Sequence, residues 1–144
     1  MPDGPDPIEV AARALRHRDR PRAQIDARLA QAGVTEDKRE EALETLERLG
    51  YVDDDRFALA RAGELAERGY GDDGIRQLLA ADGVAEERCE QALAGLEPEA
   101  ERARRIVERH GVSPRTVRQL QRKGFGEDVV AAAGAGIADV CAEE

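Results

Sequence analysis

Apolar residues recur along this chain at helical spacing, and the pattern restarts twice. Ile8, Ala11, Ala12 and Leu15 share one face; Ile25, Leu29 and Ala32 share the next; Ala42, Leu43, Leu46 and Leu49 share a third. The succession repeats with Phe57, Ala58, Ala62, Leu65 and Ala66, then Ile75, Leu78 and Leu79, then Cys89, Ala92, Leu93 and Leu96. It repeats again with Ala103, Ile106 and Val107, then Val117 and Leu120, then Val130, Ala133, Ile137 and Val140. The pattern predicts nine helices in three groups of three. No alternating run of five or more residues argues for strands. Pro21 and Pro114 suit first helical turns, Thr35 and Ser113 suit N-caps, and Gly33, Gly83 and Gly124 suit helix ends. Gly134 and Gly136 each cost about 1 kcal/mol inside a helix relative to Ala. The last helix is therefore expected to be weak or closely packed.

One block recurs with fixed spacing. An Arg stands fifteen residues before a Gly, a Leu four before it, and an apolar residue just after it: Arg18, Leu29, Gly33, Val34; Arg68, Leu79, Gly83, Val84; Arg109, Leu120, Gly124, Phe125. Such a period predicts a stacked helical array with units at residues 8–50, 51–97 and 98–144, preceded by a disordered tail at 1–7. The Leu and Gly are readily structural. Between that Arg and the apolar residue after the Gly, the Arg is the polar residue held at one offset in all three copies, so it is the first candidate for function.

Composition narrows the picture. Apolar residues make up 41% of the chain, but aromatics only 3% and Trp none, so the core must be aliphatic. Net charge is −9, divided as −2 over residues 1–50, −7 over 51–97 and 0 over 98–144. An acidic chain suits a protein partner better than tight non-specific DNA binding, which depends on neutralising phosphates. Met1–Pro7 lacks the basic and apolar regions of a signal peptide, and no run is long enough for a bilayer, so a cytoplasmic protein is expected. Cys89 and Cys141 form no paired motif and read as bystander thiols.

Candidate chemistry is sparse. Asp53, Asp54 and Asp55 lack the alternate spacing and sixth-position Gly of a calcium loop, and suit the start of a helix instead. His17 and His110 have no metal-ligand spacing and no nearby nucleophile. No metal or cofactor is expected. Tyr51, Tyr70 and Phe125 each follow a Gly (Gly50, Gly69, Gly124) and either plug the core at turns or offer a stacking platform. Of these rings, Tyr70 is expected to be the most exposed. Basic residues gather at Arg13, Arg16, Arg18, Arg20 and Arg22, and again at Arg115, Arg118, Arg122 and Lys123. They are either solvated faces or, with Arg68 and Arg109, a row fitted to an acidic groove.

Specific residues resemble a known family. Gly50-Tyr51-Val52-Asp53-Asp54-Asp55-Arg56-Phe57-Ala58 resembles the signature of the RecX family, regulators of the recombinase RecA. Arg68-Gly69-Tyr70-Gly71, then Ile75-Arg76-Gln77 with Leu79 and Gly83-Val84, is similar to its next element. Lys123-Gly124-Phe125 with Asp128-Val129-Val130 resembles its late element, and Ala14–Arg20 its opening turn. The resemblance covers residues 8–140. It implies an all-α fold of three tandem three-helix repeats in an elongated, curved body. It implies a non-enzyme that lies in the groove of the RecA filament on single-stranded DNA and inhibits its recombinase, ATPase and coprotease activities. Some members of the family also bind DNA weakly. Asp72 and Asp73 depart from the family, which often has basic residues there, and the last helix is unusually rich in Ala and Gly.

A monomeric RecA regulator is thus expected, contacting its partner through Arg18, Arg20, Arg22, Arg68, Tyr70, Arg109, Arg115, Arg118, Arg122 and Lys123. Gly50, Tyr51, Asp53, Asp54, Phe57, Ala58, Gly69, Gly71, Gly124 and Phe125 are expected to be structural. The alternative is a small DNA-binding module of helix-turn-helix type, since a three-helix unit with a basic second helix allows it.

Overall fold

Every predicted apolar face forms a helix. The computed structural model describes the backbone of residues 4–142 and the side chains of residues 4–135; Met1, Pro2 and Asp3 and the side chains of Ile137, Val140 and Cys141 lie outside that range. Among the described residues there are nine α-helices and no strand: α1 (Pro7–Leu15), α2 (Arg22–Gln31), α3 (Glu36–Arg48), α4 (Asp54–Glu67), α5 (Asp72–Asp82), α6 (Glu86–Ala94), α7 (Glu99–His110), α8 (Pro114–Arg122) and α9 (Glu127–Ala142). None is long and apolar enough to cross a membrane.

The helices pack chiefly in consecutive trios, α1–α3, α4–α6 and α7–α9. Each trio has its own apolar cluster. Ile25, Leu29 and Leu43 centre the first, Leu65, Ile75 and Leu79 the second, and Leu120 and Phe125 the third. The recurring Leu–Gly–apolar block explains why. Leu29, Leu79 and Leu120 are fully buried. Gly33, Gly83 and Gly124 take positive φ, which a Cβ would penalise, and turn the chain back. The next residue then buries its side chain, and its N–H closes the helix on that Leu carbonyl: Val34 to Leu29 at 3.0 Å, Val84 to Leu79 at 3.0 Å and Phe125 to Leu120 at 3.1 Å. One turn chemistry thus anchors three helices.

Several local expectations change. Pro7, placed in the tail by the sequence, is the first residue of α1, and the Asp6 carboxylate caps it by accepting the Ile8 N–H at 3.0 Å. In α1 the buried pair is Ala11 and Ala14 rather than Ala11 and Ala12, and Ile8 is 41% exposed, because α1 packs chiefly on α2 and α3. Leu49 caps α3 and is 61% exposed. Thr35 stands at the N-cap of α3 but its hydroxyl makes no capping bond. Phe57 is half-buried at the edge of the second cluster, where Ala58 takes the core position. In the last helix a Cβ on Gly134 would stand 3.8 Å from Val117, an ordinary contact, so close packing does not demand that glycine.

Candidate partner-binding surface

The candidate residues are positioned by the seams between trios. At the first seam, α4 abuts the start of α2. The backbone N–H of Arg22 donates to Asp54 Oδ1 at 2.7 Å, Gln24 Nε2 donates to the Asp82 carbonyl at 3.1 Å, and Arg56 makes a two-pronged pair with Asp19 at 2.8 and 3.0 Å. At the second seam, α7 abuts the start of α5 in the same way. Glu99 takes the part of Asp54, accepting the Asp72 N–H at 2.5 Å and, through its other oxygen, the Gly126 N–H at 3.0 Å. Arg102 lies beneath, 8% exposed, bonded to the carbonyls of Tyr70 and Glu97 and paired with Asp72.

A rule emerges from the helix N-termini. Neither Pro21 nor Gly71 supplies a side-chain cap for α2 or α5. Each helix receives its carboxylate from the first residue of the next trio's first helix, where an acceptor satisfies an otherwise orphaned N–H. The middle helix of the last trio, α8, is capped instead by its own Ser113, whose hydroxyl accepts the Thr116 N–H at 3.2 Å.

This divides the Asp53–Asp55 run into three separate tasks. Asp53 caps α4 by accepting the Arg56 N–H at 3.0 Å, Asp54 caps α2, and Asp55 pairs with Arg88 at 2.5 Å. Among the described residues no cluster is suited to a metal ion. The Arg56 guanidinium holds the Asp19 carboxyl below its ordinary range by hydrogen bonding. Cys89 is a free, buried thiol whose Sγ lies 3.7 Å from the Val84 carbonyl, and burial pushes it up.

Each seam leaves an open cleft beside it. The first, of about 220 Å³, is lined by Arg18 and Arg61 against Asp19, Glu64 and Asp82, with Phe57 as its apolar wall. The second, of about 660 Å³, lies between the end of α4 and α7. Arg68, Arg102, Arg105 and Arg109 line it against only Glu67 and Glu97, over a floor including Ala66, Leu96 and Ile106.

The structure brings Arg68 and Arg109 into one cleft and leaves Arg18 in the other. Their common offset hides different settings: Arg68 is the C-cap of α4, Arg109 lies in the last turn of α7, and Arg18 follows the end of α1. Among the described residues these three, with Arg115, Arg118 and Arg122 on α8, have no carboxylate within ion-pairing distance. Arg22, by contrast, is held between Glu40 and Glu47 at 2.6 Å each, and Arg20 donates to the Ala14 carbonyl at 2.8 Å, so both are engaged inside the first trio. Lys123 Nζ sits 4.1 Å over the Tyr70 ring. Tyr70 is half-buried between that lid and the second apolar cluster; the exposed ring is Tyr51, at 62%. Phe125 is in the core.

Sequence reasoning missed Arg105, His110 and Gln119 as cleft residues, since none recurs between units. Glu99 carried a legible signal: it opens the first helix of its trio, as Asp54 does.

No family model matches the chain. Curated relatives do. The chain is 37% identical over 125 residues to the regulatory protein RecX of Thermus thermophilus, covering 85% of each. It is 33% identical over 137 residues to that of Halorhodospira halophila, covering 88% of this chain and 85% of the relative. Among solved structures, RecX from Lactobacillus salivarius superposes with a TM-score of 0.76 at 19% identity, over 88% of this chain and 91% of that one. A second RecX crystal structure gives 0.71 at 22% identity, over 89% of this chain and 72% of that one. These two share the all-helical fold. On the curated relatives, the chain belongs to the RecX family of regulatory proteins.

Proposed function

We propose that this RecX-family chain binds the RecA filament on single-stranded DNA and limits its recombinase, ATPase and coprotease activities. It acts by occupancy as a cytoplasmic monomer, without catalysis and without a cofactor. One observation carries this reading. Ten arginines pair with carboxylates of the molecule itself, whereas Arg18, Arg68, Arg109, Arg115, Arg118 and Arg122, like Arg16, Arg20, Arg28 and Arg48, stand without such partners among the described residues. Unpaired guanidinium groups suit an acidic groove, where electrostatic complementarity sets on-rate and register.

The test is the DNA-dependent ATPase and strand exchange of RecA from the same source. Wild-type protein should suppress both, and charge reversal of Arg68 and Arg109 together should weaken suppression by about tenfold or more. Unaltered RecA activity with the wild-type protein sinks the reading.

A second reading rests on α8, whose arginines fit a duplex backbone. Duplex binding without RecA, with a steep salt slope, would favour it.

A further inference from the structure

We infer that the second cleft is a docking site for a short acidic peptide segment carrying aliphatic side chains. The inference deepens the filament-binding proposal and rests on it only for the identity of the partner; the chemistry is read from the cleft itself.

Charge comes first. In a chain of net charge −9, four arginines against two glutamates make this cleft a local positive well. Arg102 and Arg105 are engaged, the first with Asp72 and the second with Glu97. Arg68 and Arg109 remain available for a ligand's carboxylates, and both are exposed. The well continues along α8. Gln119 lines the cleft, and Arg115 and Arg122 stand one turn either side of it on the same helical face.

The floor decides between ligand classes. Leu96 and Ile106 are half-buried apolar surface at the bottom of a volume of about 660 Å³, within the usual range for ligand clefts. A phosphodiester backbone gains nothing from aliphatic floor, and bases need a ring on which to stack. No Phe, Tyr or Trp lines this cleft among the described residues; the ring there is the single exposed imidazole of His110. An extended peptide, advancing about 3.3–3.6 Å per residue, can place carboxylates at Arg68 and Arg109 and a Leu or Ile between them. The first cleft offers no such well, because two arginines there face three carboxylates.

The experiment measures fluorescence anisotropy of a labelled peptide repeating Glu-Ser-Leu-Ser, which in extended form puts Glu and Leu on one face, against labelled oligo-dT and a Ser-for-Leu peptide. The Glu-Leu peptide should bind the wild-type chain and weaken with salt. Its affinity should fall about tenfold or more in R68E/R109E and stay unchanged in R48E, at an exposed arginine of the first trio. The Ser-for-Leu peptide should bind several-fold more weakly. No peptide binding, unchanged binding in R68E/R109E, equal affinity for the Ser-for-Leu peptide, or tighter binding of oligo-dT at the same residues overturns the inference. Circular dichroism melts confirm that both variants stay folded. The two proposals fail separately. RecA suppression that depends on Arg68 and Arg109 without peptide binding removes this inference alone. Peptide binding without RecA suppression removes the filament proposal alone.

Discussion

At the same position ahead of the middle helix, the first seam presents Pro21 and the second presents Gly71. The difference governs how closely two units can meet. Gly71 donates its N–H to the Lys123 carbonyl at 2.8 Å, and Asp73 donates to the Gly124 carbonyl at 3.0 Å, so backbone binds backbone across the second seam. Proline has no N–H to offer. Three residues on from Pro21 and Gly71, Gln24 spans the first seam with its amide, whereas Gly74 has no side chain and the Lys123 carbonyl lies where its Cβ would be. The seams share one plan: a cross-unit carboxylate on the helix start and the C-terminal turn of the next middle helix beneath it. The first is bridged by side chains and the second is closed by main chain. The closer seam is also the one beside the wide basic cleft, so the residues proposed to meet a partner stand on the more tightly defined joint.

Substitutions can break this comparison. The largest effect is expected from Gly71→Ala, whose Cβ would overlap the Phe125 and Gly124 backbones. Neither side can yield as a flexible side chain would, so the loss should be about 3 kcal/mol, read from urea melts. Gln24→Ala, which removes one hydrogen bond at the first seam, should cost only about 1 kcal/mol. Equal losses would mean the seams are equally close.

Next in size is Glu99→Ala, which strips an acceptor from two backbone donors and should cost about 2 kcal/mol. Asp54→Ala strips one and should cost about 1 kcal/mol. Hydrogen exchange sharpens the test: Glu99→Ala should speed exchange at Asp72, and Asp54→Ala at Arg22, each without moving the other. Phe57→Ala should cost about 2 kcal/mol, well short of the 3–5 typical of a fully buried ring, because Phe57 also faces the first cleft.

The smallest effect concerns pH. Arg56 depresses the Asp19 carboxyl, so this pair's contribution is full above the ordinary Asp range near about 4 and fades as pH falls through the depressed value. The pair is exposed, and Asp19→Asn should cost about 0.5 kcal/mol at neutral pH and nothing in strong acid. A gap between wild type and variant that persists in acid would assign the effect to something other than the ion pair.

Much of the fold was legible because it is local. Helical spacing, the Leu–Gly–apolar turn and the Asp53 cap all act within a few residues of sequence. The seams were not legible, since they join residues 27 to 58 positions apart. The same distance explains the misplaced ring. Tyr70 reads as exposed after its glycine, but Lys123 arrives from the last unit to cover it, while nothing covers Tyr51. The threefold Arg offset pointed to Arg68 and Arg109, yet it could not tell that these two converge while Arg18 turns to a different cleft, for that depends on how α7 lies against the end of α4.

The capping of α8 by its own Ser113, where α2 and α5 borrow from the unit that follows, gives the molecule a direction. A ribosome releases α2 before Asp54 and α5 before Glu99, so these two helices leave unfinished and wait for the unit that follows. Loss of the last unit would reopen α5 in the unit left behind. Loss of the first would leave α5 and α8 with every cap they have. The chain is made from one end and secured from the other.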